Sequence, residues 1–393
     1  MAHLFDTIYL HAGLPKTGSS FIQDGMHALW QAGLLVRVAY PLAAPELGTG
    51  NGSALARELI FTNPAPTTTG RLQACVQDIL QAVDRPATDL LISSEDLCYA
   101  DVEKFSRLKQ VLLGHAKAVK LVVAIRPLKA WSHSVYLQLV KAHALAADYD
   151  AAWLQAHSPD FLFYFRNLDR FDVDTICFRY QEKNLLRQFL GLIGENETLA
   201  SKVPDTVANR SLSVEEVRVV RAINRVFGDE LLCRKISDEL VGQRPDCRGA
   251  RFPAHCEAEF QRFAAEFSRQ LDQFPGPVMD AVKEILFEAA DTPLRSALPR
   301  EAPANGMLST AEVEIVLRGL RAFFEARIDD VSSHRKLLDY ASGLERTETF
   351  FDPIHYLLMH PDVLRAGSDP WQHYQQHGRH EGRKSALKPG GSQ

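Results

Sequence analysis

Short apolar runs at residues 7–11, 34–40, 89–93, 119–125 and 173–178 are each bounded by turn or helix signals and have the composition of buried strands. Between them the apolar positions recur at helical spacing, as in Ile22, Met26 and Leu29, or Trp131, Val135 and Leu139. Strands that alternate with amphipathic helices predict βαβ units and a parallel sheet covered on both faces. Residues 1–205 therefore read as an α/β core.

After Ser211 the strand rhythm stops. Ser213-Val214-Glu215-Glu216 puts a serine at an N-cap and a glutamate three positions on, a capping box that predicts a helix through Phe227. Helical patterns follow at 254–271, 277–289 and 309–327, so residues 206–345 are predicted to form a mainly helical extension. The prolines at 293, 299 and 303 make 291–306 a linker within it. Residues 346–388 form a distinct segment rich in His and Tyr, and 388–393 reads as a disordered tail.

A length of 393 residues fits two to three structural units. With 46% hydrophobic and 24% charged residues the chain has the make-up of a globular protein, which excludes disordered, collagen-like and disulfide-scaffold classes. Lys and Arg number 44 against 49 Asp and Glu, so no diffuse positive field is available to hold a nucleic acid, and any anion must be caught locally. Cys75, Cys98, Cys177, Cys233, Cys247 and Cys256 are scattered without a CxxC pair and read as reduced thiols. The first residues lack the pattern of a signal peptide, and no run reaches the ~18 apolar residues of a membrane span. A cytoplasmic location is the expectation.

Two strand-to-helix junctions carry the candidate chemistry. In the first, Ile8-Tyr9-Leu10-His11 runs into Ala12-Gly13-Leu14-Pro15-Lys16-Thr17-Gly18-Ser19-Ser20 and then a helical pattern. Gly13 and Gly18 permit a tight turn, and backbone N–H groups at the helix start face whatever lies there. Lys16 adds a charge and Thr17, Ser19 and Ser20 add hydroxyls, a set suited to a phosphate. The standard nucleoside-triphosphate loop places its lysine directly after the second glycine, whereas Lys16 precedes Gly18. In the second junction Arg126 ends an apolar strand, Pro127 suits a first helical position and Ser134 follows eight residues after Arg126. Ser134, Gln138 and Lys141 share a predicted polar stripe opposite Trp131, Val135 and Leu139.

Taken together, the two junctions resemble those of PAPS-dependent sulfotransferases over roughly residues 5–205. The stretch Pro15-Lys16-Thr17-Gly18-Ser19-Ser20 resembles that family's 5′-phosphosulfate loop, and Arg126 with Ser134 resembles its 3′-phosphate grip. The resemblance implies a P-loop-like parallel sheet flanked by helices, PAPS (3′-phosphoadenosine 5′-phosphosulfate) as sulfuryl donor, PAP as product, and no metal. It casts Lys16 as donor to the leaving oxygen. The family's late Arg-Lys-Gly stretch has no clear counterpart, and Asn209-Arg210-Ser211 stands as a substitute. Glu95, just past the 89–93 strand, is the expected base, because carbohydrate and tyrosyl-protein sulfotransferases use a glutamate at a comparable strand end; Asp96, His11 and His133 stay open as alternatives. The implied reaction is in-line transfer of a sulfuryl group to a hydroxyl of a sugar or glycan. A kinase-like ATP enzyme and a non-catalytic PAP-binding assembly module are the rival readings.

Two further segments are singled out. Gly48, Gly50 and Gly52 around Asn51 read as a surface loop or a gate beside the acceptor. From Phe351 to Arg383 the chain looks like a short module attached to bacterial glycosyltransferases and polysaccharide-synthesis proteins, serving as a docking appendage or a compact helical cap. There Asp369 is expected to cap a short helix with Pro370 at its first position, and Pro353 to start another. His355, His360, His373, His377 and His380 lie in polar, aromatic surroundings and are not read as a metal site.

Overall fold

A computed structural model describes residues 3–43, 48–61, 67–100, 102–204, 210–244, 247 and 249–288, and near the carboxyl end 356, 360, 362–363, 368–381 and 383. The expected linker at 291–306, the 309–327 helix, Pro353, His355, Asn209 and the 388–393 tail lie outside the described residues. The chain divides into two compact units, Met1–Met307 and Leu308–Gln393.

The first unit is α/β. In chain order it runs β1 (Phe5–His11), α1 (Ser19–Gln31), β2 (Val38–Ala39), α2 (Ser53–Phe61), α3 (Thr67–Gln81), β3 (Asp89–Ser93), α4 (Val102–Leu113), β4 (Ala116–Ile125), α5 (Leu128–Ala142), α6 (Ala151–Phe165), β5 (Asp174–Arg179), α7 (Leu185–Leu192), α8 (Val214–Phe227), α9 (Glu230–Gln243), α10 (Glu257–Leu271) and α11 (Pro277–Phe287). The five strands form one parallel sheet in the order β2-β3-β1-β4-β5, flanked by helices. All five residues of β3 and the last five of β4 are buried, as expected of parallel strands covered on both faces.

The predicted 34–40 strand is cut to Val38–Ala39. The reason lies at the sheet edge, where Leu34 and Val36 are exposed and Glu195 accepts the N–H groups of Arg37 and Val38 at 2.7 and 2.8 Å. Beyond Ala39 the edge of β3 is satisfied by a side chain instead: Asn51 donates to the Leu91 carbonyl and accepts the Ser93 N–H, each at 2.8 Å. Asn51 is buried, so the glycine-flanked turn is pinned to the sheet and is neither a free gate nor a plain surface loop.

The helical half belongs to the same unit: α8 and α9 pack on α5, α10 on α6, and α11 on β5. This packing changes the reading of α5. Ser134 is buried while Val135 and Leu139 are only half-buried, and α8 and α9 bond to α5 at its carboxyl end, at Val140, Lys141 and Ala142.

The capping box of α8 is present, and it consumes Arg210. The Arg210 guanidinium grips the Glu216 carboxylate through two 2.7 Å hydrogen bonds and donates to the Leu240 carbonyl at 2.9 Å, with both side chains buried. Arg210 is therefore spent on the fold and does not substitute for a phosphate-binding stretch. Truncation would strand the Glu216 charge in the interior. Arg210→Ala is expected to cost about 3–5 kcal/mol in urea denaturation.

Within the second unit, Tyr356 and Val363 form a small buried core with Trp371 and Tyr374 against it. Asp369 caps the short helix Pro370–His373 through the Gln372 N–H at 2.8 Å, as expected, with Pro370 in its first turn. Tyr356 pairs with His373 Nδ1 at 3.0 Å, and Arg383 bridges to Asp362 at 2.8 Å.

Candidate functional site

The register of the sheet brings both sequence junctions to one edge. His11 at the end of β1 lies between Ser93 of β3 and Val122 of β4, and bonds from Ser94 N to His11 O and from Ala12 N to Val122 O extend the pairing past the strand ends. Three connections leave this edge side by side: residues 12–18 after β1, Glu95 after β3 and Arg126 after β4. The strand order reverses around β1, where open α/β sheets leave a crevice for ligands.

The turn after β1 is built for close approach. Gly13, Lys16 and Gly18 have φ of +54°, +67° and +82°. For Lys16 this left-handed backbone costs of order 1–3 kcal/mol, which the surroundings must offset. Thr17 does so from within, its hydroxyl donating to the Leu14 carbonyl at 2.6 Å and accepting the Leu14 N–H at 3.1 Å. The Thr17 hydroxyl, fully buried, is thus engaged within the loop. From outside, the Trp131 indole N–H holds the Pro15 carbonyl at 2.8 Å.

Gly18 leads into α1, whose first residue, Ser19, has a buried hydroxyl without a hydrogen-bond partner among the described residues. Such an orphan at a helix start is a vacant donor position. Ser20, by contrast, is exposed. The same corner holds Glu95: a Cβ placed on Gly13 would sit 2.5 Å from Ser19 Oγ and 3.1 Å from Glu95 Cβ.

Lys16 and Arg126 meet across a separation of 110 residues. The Arg126 guanidinium donates to the Lys16 carbonyl at 3.2 Å and lies 4.9 Å over the Tyr180 ring. Lys16 Nζ donates to Gln138 Oε1 at 3.1 Å. Ser134 lies one turn before Gln138 on α5, hence on the face that reaches the turn. Burial lowers the pKa of both cations, Glu95 partly restoring that of Lys16. A partly desolvated cation interacts more strongly with an incoming anion than a fully hydrated one.

Of the four candidate bases, Glu95 is the one that is solvent-exposed. Crowding by protein atoms raises its pKa, the Asp96 carboxylate adds to the rise and Lys16 opposes it. Asp96 is half-buried beside it on the same 3₁₀ turn, Glu95–Tyr99, which Ser94 caps. His11 is wholly buried, bonded to Ser93 Oγ at 2.8 Å, and burial depresses its pKa to about 4. His133 is also depressed to about 4 by burial and packs among Tyr136, Tyr149 and Phe252. Burial thus holds both imidazoles well below the usual histidine range.

Tyr180 was not signalled by any motif. It follows β5, donates its N–H to the Ile125 carbonyl at 2.7 Å, and its ring, after the Leu185 side chain, crowds the space that a Cβ on Gly18 would need. The hydrogen bonds that gather His11, Gln23 and Asn51 around Ser93 are equally silent in the sequence, because contacts between residues distant in the chain leave no periodicity. Among the described residues no group of three His, Cys, Asp or Glu side chains is placed to hold a metal ion, and no helix is long and apolar enough to cross a membrane.

Comparison with protein-family models, with curated proteins and with solved structures yields no match to this chain.

Proposed function

We propose that the chain is a sulfotransferase that moves the sulfuryl group of PAPS to a hydroxyl of a sugar or glycan. The observation that carries this reading is the convergence of the Lys16 turn and Arg126 at one sheet edge, with Glu95 beside them and exposed. The residues present fit a donor with phosphate groups at both ends: the orphaned Ser19 hydroxyl and Lys16 suit the 5′ end, and Arg126 with Ser134 the 3′-phosphate.

When bound, the donor supplies an S–O bond whose cleavage releases the sulfuryl group and leaves PAP. Glu95 takes the acceptor proton as the hydroxyl oxygen bonds to sulfur. With the donor bound, Lys16 would supply the positive charge that balances the phosphate oxygen left with the electron pair of the broken S–O bond. Gln138 holds the ammonium in place and Trp131 holds the turn. Among the residues of the early motif, Pro15, Gly18 and Thr17 shape the turn while Lys16 and Ser19 do the binding. The helical half closes on α5 and α6, the helices nearest the acceptor side.

Calorimetric titration with PAP and with ATP, in the absence of metal, tests the reading. PAP is expected to bind and ATP to bind weakly. Lys16→Ala and Arg126→Ala should each weaken PAP by about 10- to 150-fold, the equivalent of one hydrogen bond to a charged group. Absence of PAP binding, or Mg²⁺-dependent ATP binding, would overturn the proposal in favour of a kinase-like enzyme.

A further inference from the structure

A partly exposed aromatic wall continues outward from Glu95. The 3₁₀ turn that begins with this carboxylate ends at Tyr99, which is 38% exposed. The Tyr99 ring meets Tyr164 edge-on at 5.4 Å between centroids, their hydroxyls 2.9 Å apart, and Phe163 adjoins each at 6.1 Å. Phe163 and Tyr164 are half-buried. On its inner side Tyr164 packs edge-on against Trp131 at 5.7 Å, the residue whose indole holds the Pro15 carbonyl. The wall therefore links the residue that holds the Pro15 carbonyl to the turn that begins at Glu95. Arg166 closes the outer side, 4.5 Å over the Phe163 ring.

The chemistry of this surface is specific. Exposed ring faces offer contact to C–H groups, and the paired tyrosine hydroxyls offer a donor and an acceptor at the rim. A pyranose presents that combination, a face of C–H bonds edged by hydroxyls. Charge narrows the choice further. Glu95 and Asp96 open the 3₁₀ turn that ends at Tyr99, and Asp160 lies one helical turn before Tyr164 on α6, so three carboxylates border the wall, with Arg166 as the cation beside them. An anionic group on the ligand placed against them faces like-charge repulsion.

We infer that Tyr99, Phe163 and Tyr164 form the acceptor platform, and that it takes an uncharged pyranose ring while rejecting uronic acids and sugars that already bear sulfate. This rests on the reading of Glu95 as the base, which places the acceptor hydroxyl at the inner end of the wall. It makes the protein the first to place a charge on its acceptor: the reaction that supplies the acceptor must be one that leaves a neutral sugar.

Saturation-transfer difference NMR on the full chain with PAP present tests the platform. The probes are cellobiose and methyl β-D-glucopyranoside, with methyl β-D-glucuronide and glucose 6-sulfate as their anionic counterparts. Ring C–H signals are expected from the neutral pair only. Tyr99→Ala should reduce them about fivefold or more, and Phe163→Ala likewise. Asp96→Asn combined with Asp160→Asn should admit the glucuronide. PAP affinity, read on the same samples, reports that each variant is folded. Equal signals from neutral and anionic sugars, no signal from any sugar, or no change in Tyr99→Ala with PAP still bound would overturn the platform. Sugar binding in a protein that never binds PAP would instead leave the platform standing and remove the sulfotransferase reading.

Discussion

Glu95→Gln is expected to lower turnover by about 10²- to 10⁴-fold, the range contributed by a positioned base, while PAP affinity stays at the wild-type value. The split follows from geometry. Gln keeps the size of Glu and so preserves the packing of Glu95 Cα and Cβ against Gly13. What it removes is the ability to accept a proton. A pH profile separates this from simple damage to the corner. Glu95 serves as base only when ionised, and crowding, aided by Asp96, raises its pKa above that of an ordinary glutamate. The rate should therefore rise with pH through a limb displaced upward from the usual carboxylate range and level off once Glu95 has lost its proton. Asp96→Asn removes one raising influence, so the limb should move to lower pH. Lys16→Ala removes the lowering influence, so whatever rate remains should show the limb at higher pH. A Glu95→Gln protein with full turnover would eliminate Glu95 as base, and the buried, depressed imidazoles of His11 and His133 would not replace it. Asp96 would then be the carboxylate to test.

The legibility of the site in the sequence follows from the kind of force that builds each part. The buried strands show plainly because parallel strands covered on both faces must be continuous apolar runs; 89–93 coincides with β3 and 119–125 falls on β4, while 173–178 overlaps the half-buried β5. The 34–40 run misleads because strand composition does not reveal how much edge is left to pair. There the decisive partners, Glu195 and Asn51, are polar residues distant in the chain. The same holds at the site. Lys16, Ser19, Glu95 and Arg126 declare themselves through local spacing at strand ends. Their supports do not: Gln138, Tyr180 and the indole N–H of Trp131 act through contacts that only the folded chain creates. Arg210 and Thr17 err in the opposite direction. Each is a plausible ligand group by residue type, and each is consumed by its own neighbourhood, one by a buried carboxylate and the other by a carbonyl three residues away.

A paired glycine experiment tests whether the corner formed by Gly13, Ser19 and Glu95 is the functional unit. Gly13→Ala is expected to weaken PAP binding and to lower turnover together, each by about tenfold or more, a change of ~1.4 kcal/mol or above. Gly13 has φ +54°, and an added methyl would fall 2.5 Å from Ser19 Oγ, 3.1 Å from Glu95 Cβ and 3.2 Å from its Cα. The Ser19 hydroxyl can rotate away, but doing so removes it from the helix start. The Glu95 contacts are to its stem and backbone, which must themselves shift. The left-handed backbone adds roughly 1–2 kcal/mol of strain for a non-glycine residue. Gly242 provides the opposite case: it lies in the exposed face of α9 with nothing within 4 Å of an added Cβ. Gly242→Ala should raise stability by about 0.5–1 kcal/mol, because alanine loses less conformational freedom in a helix, with PAP binding and turnover unchanged. If Gly13→Ala left both PAP affinity and turnover at wild-type levels, Ser19 and Glu95 would be free to move without consequence, and the anion-binding corner would have to be sought around Arg126 and Tyr180 instead.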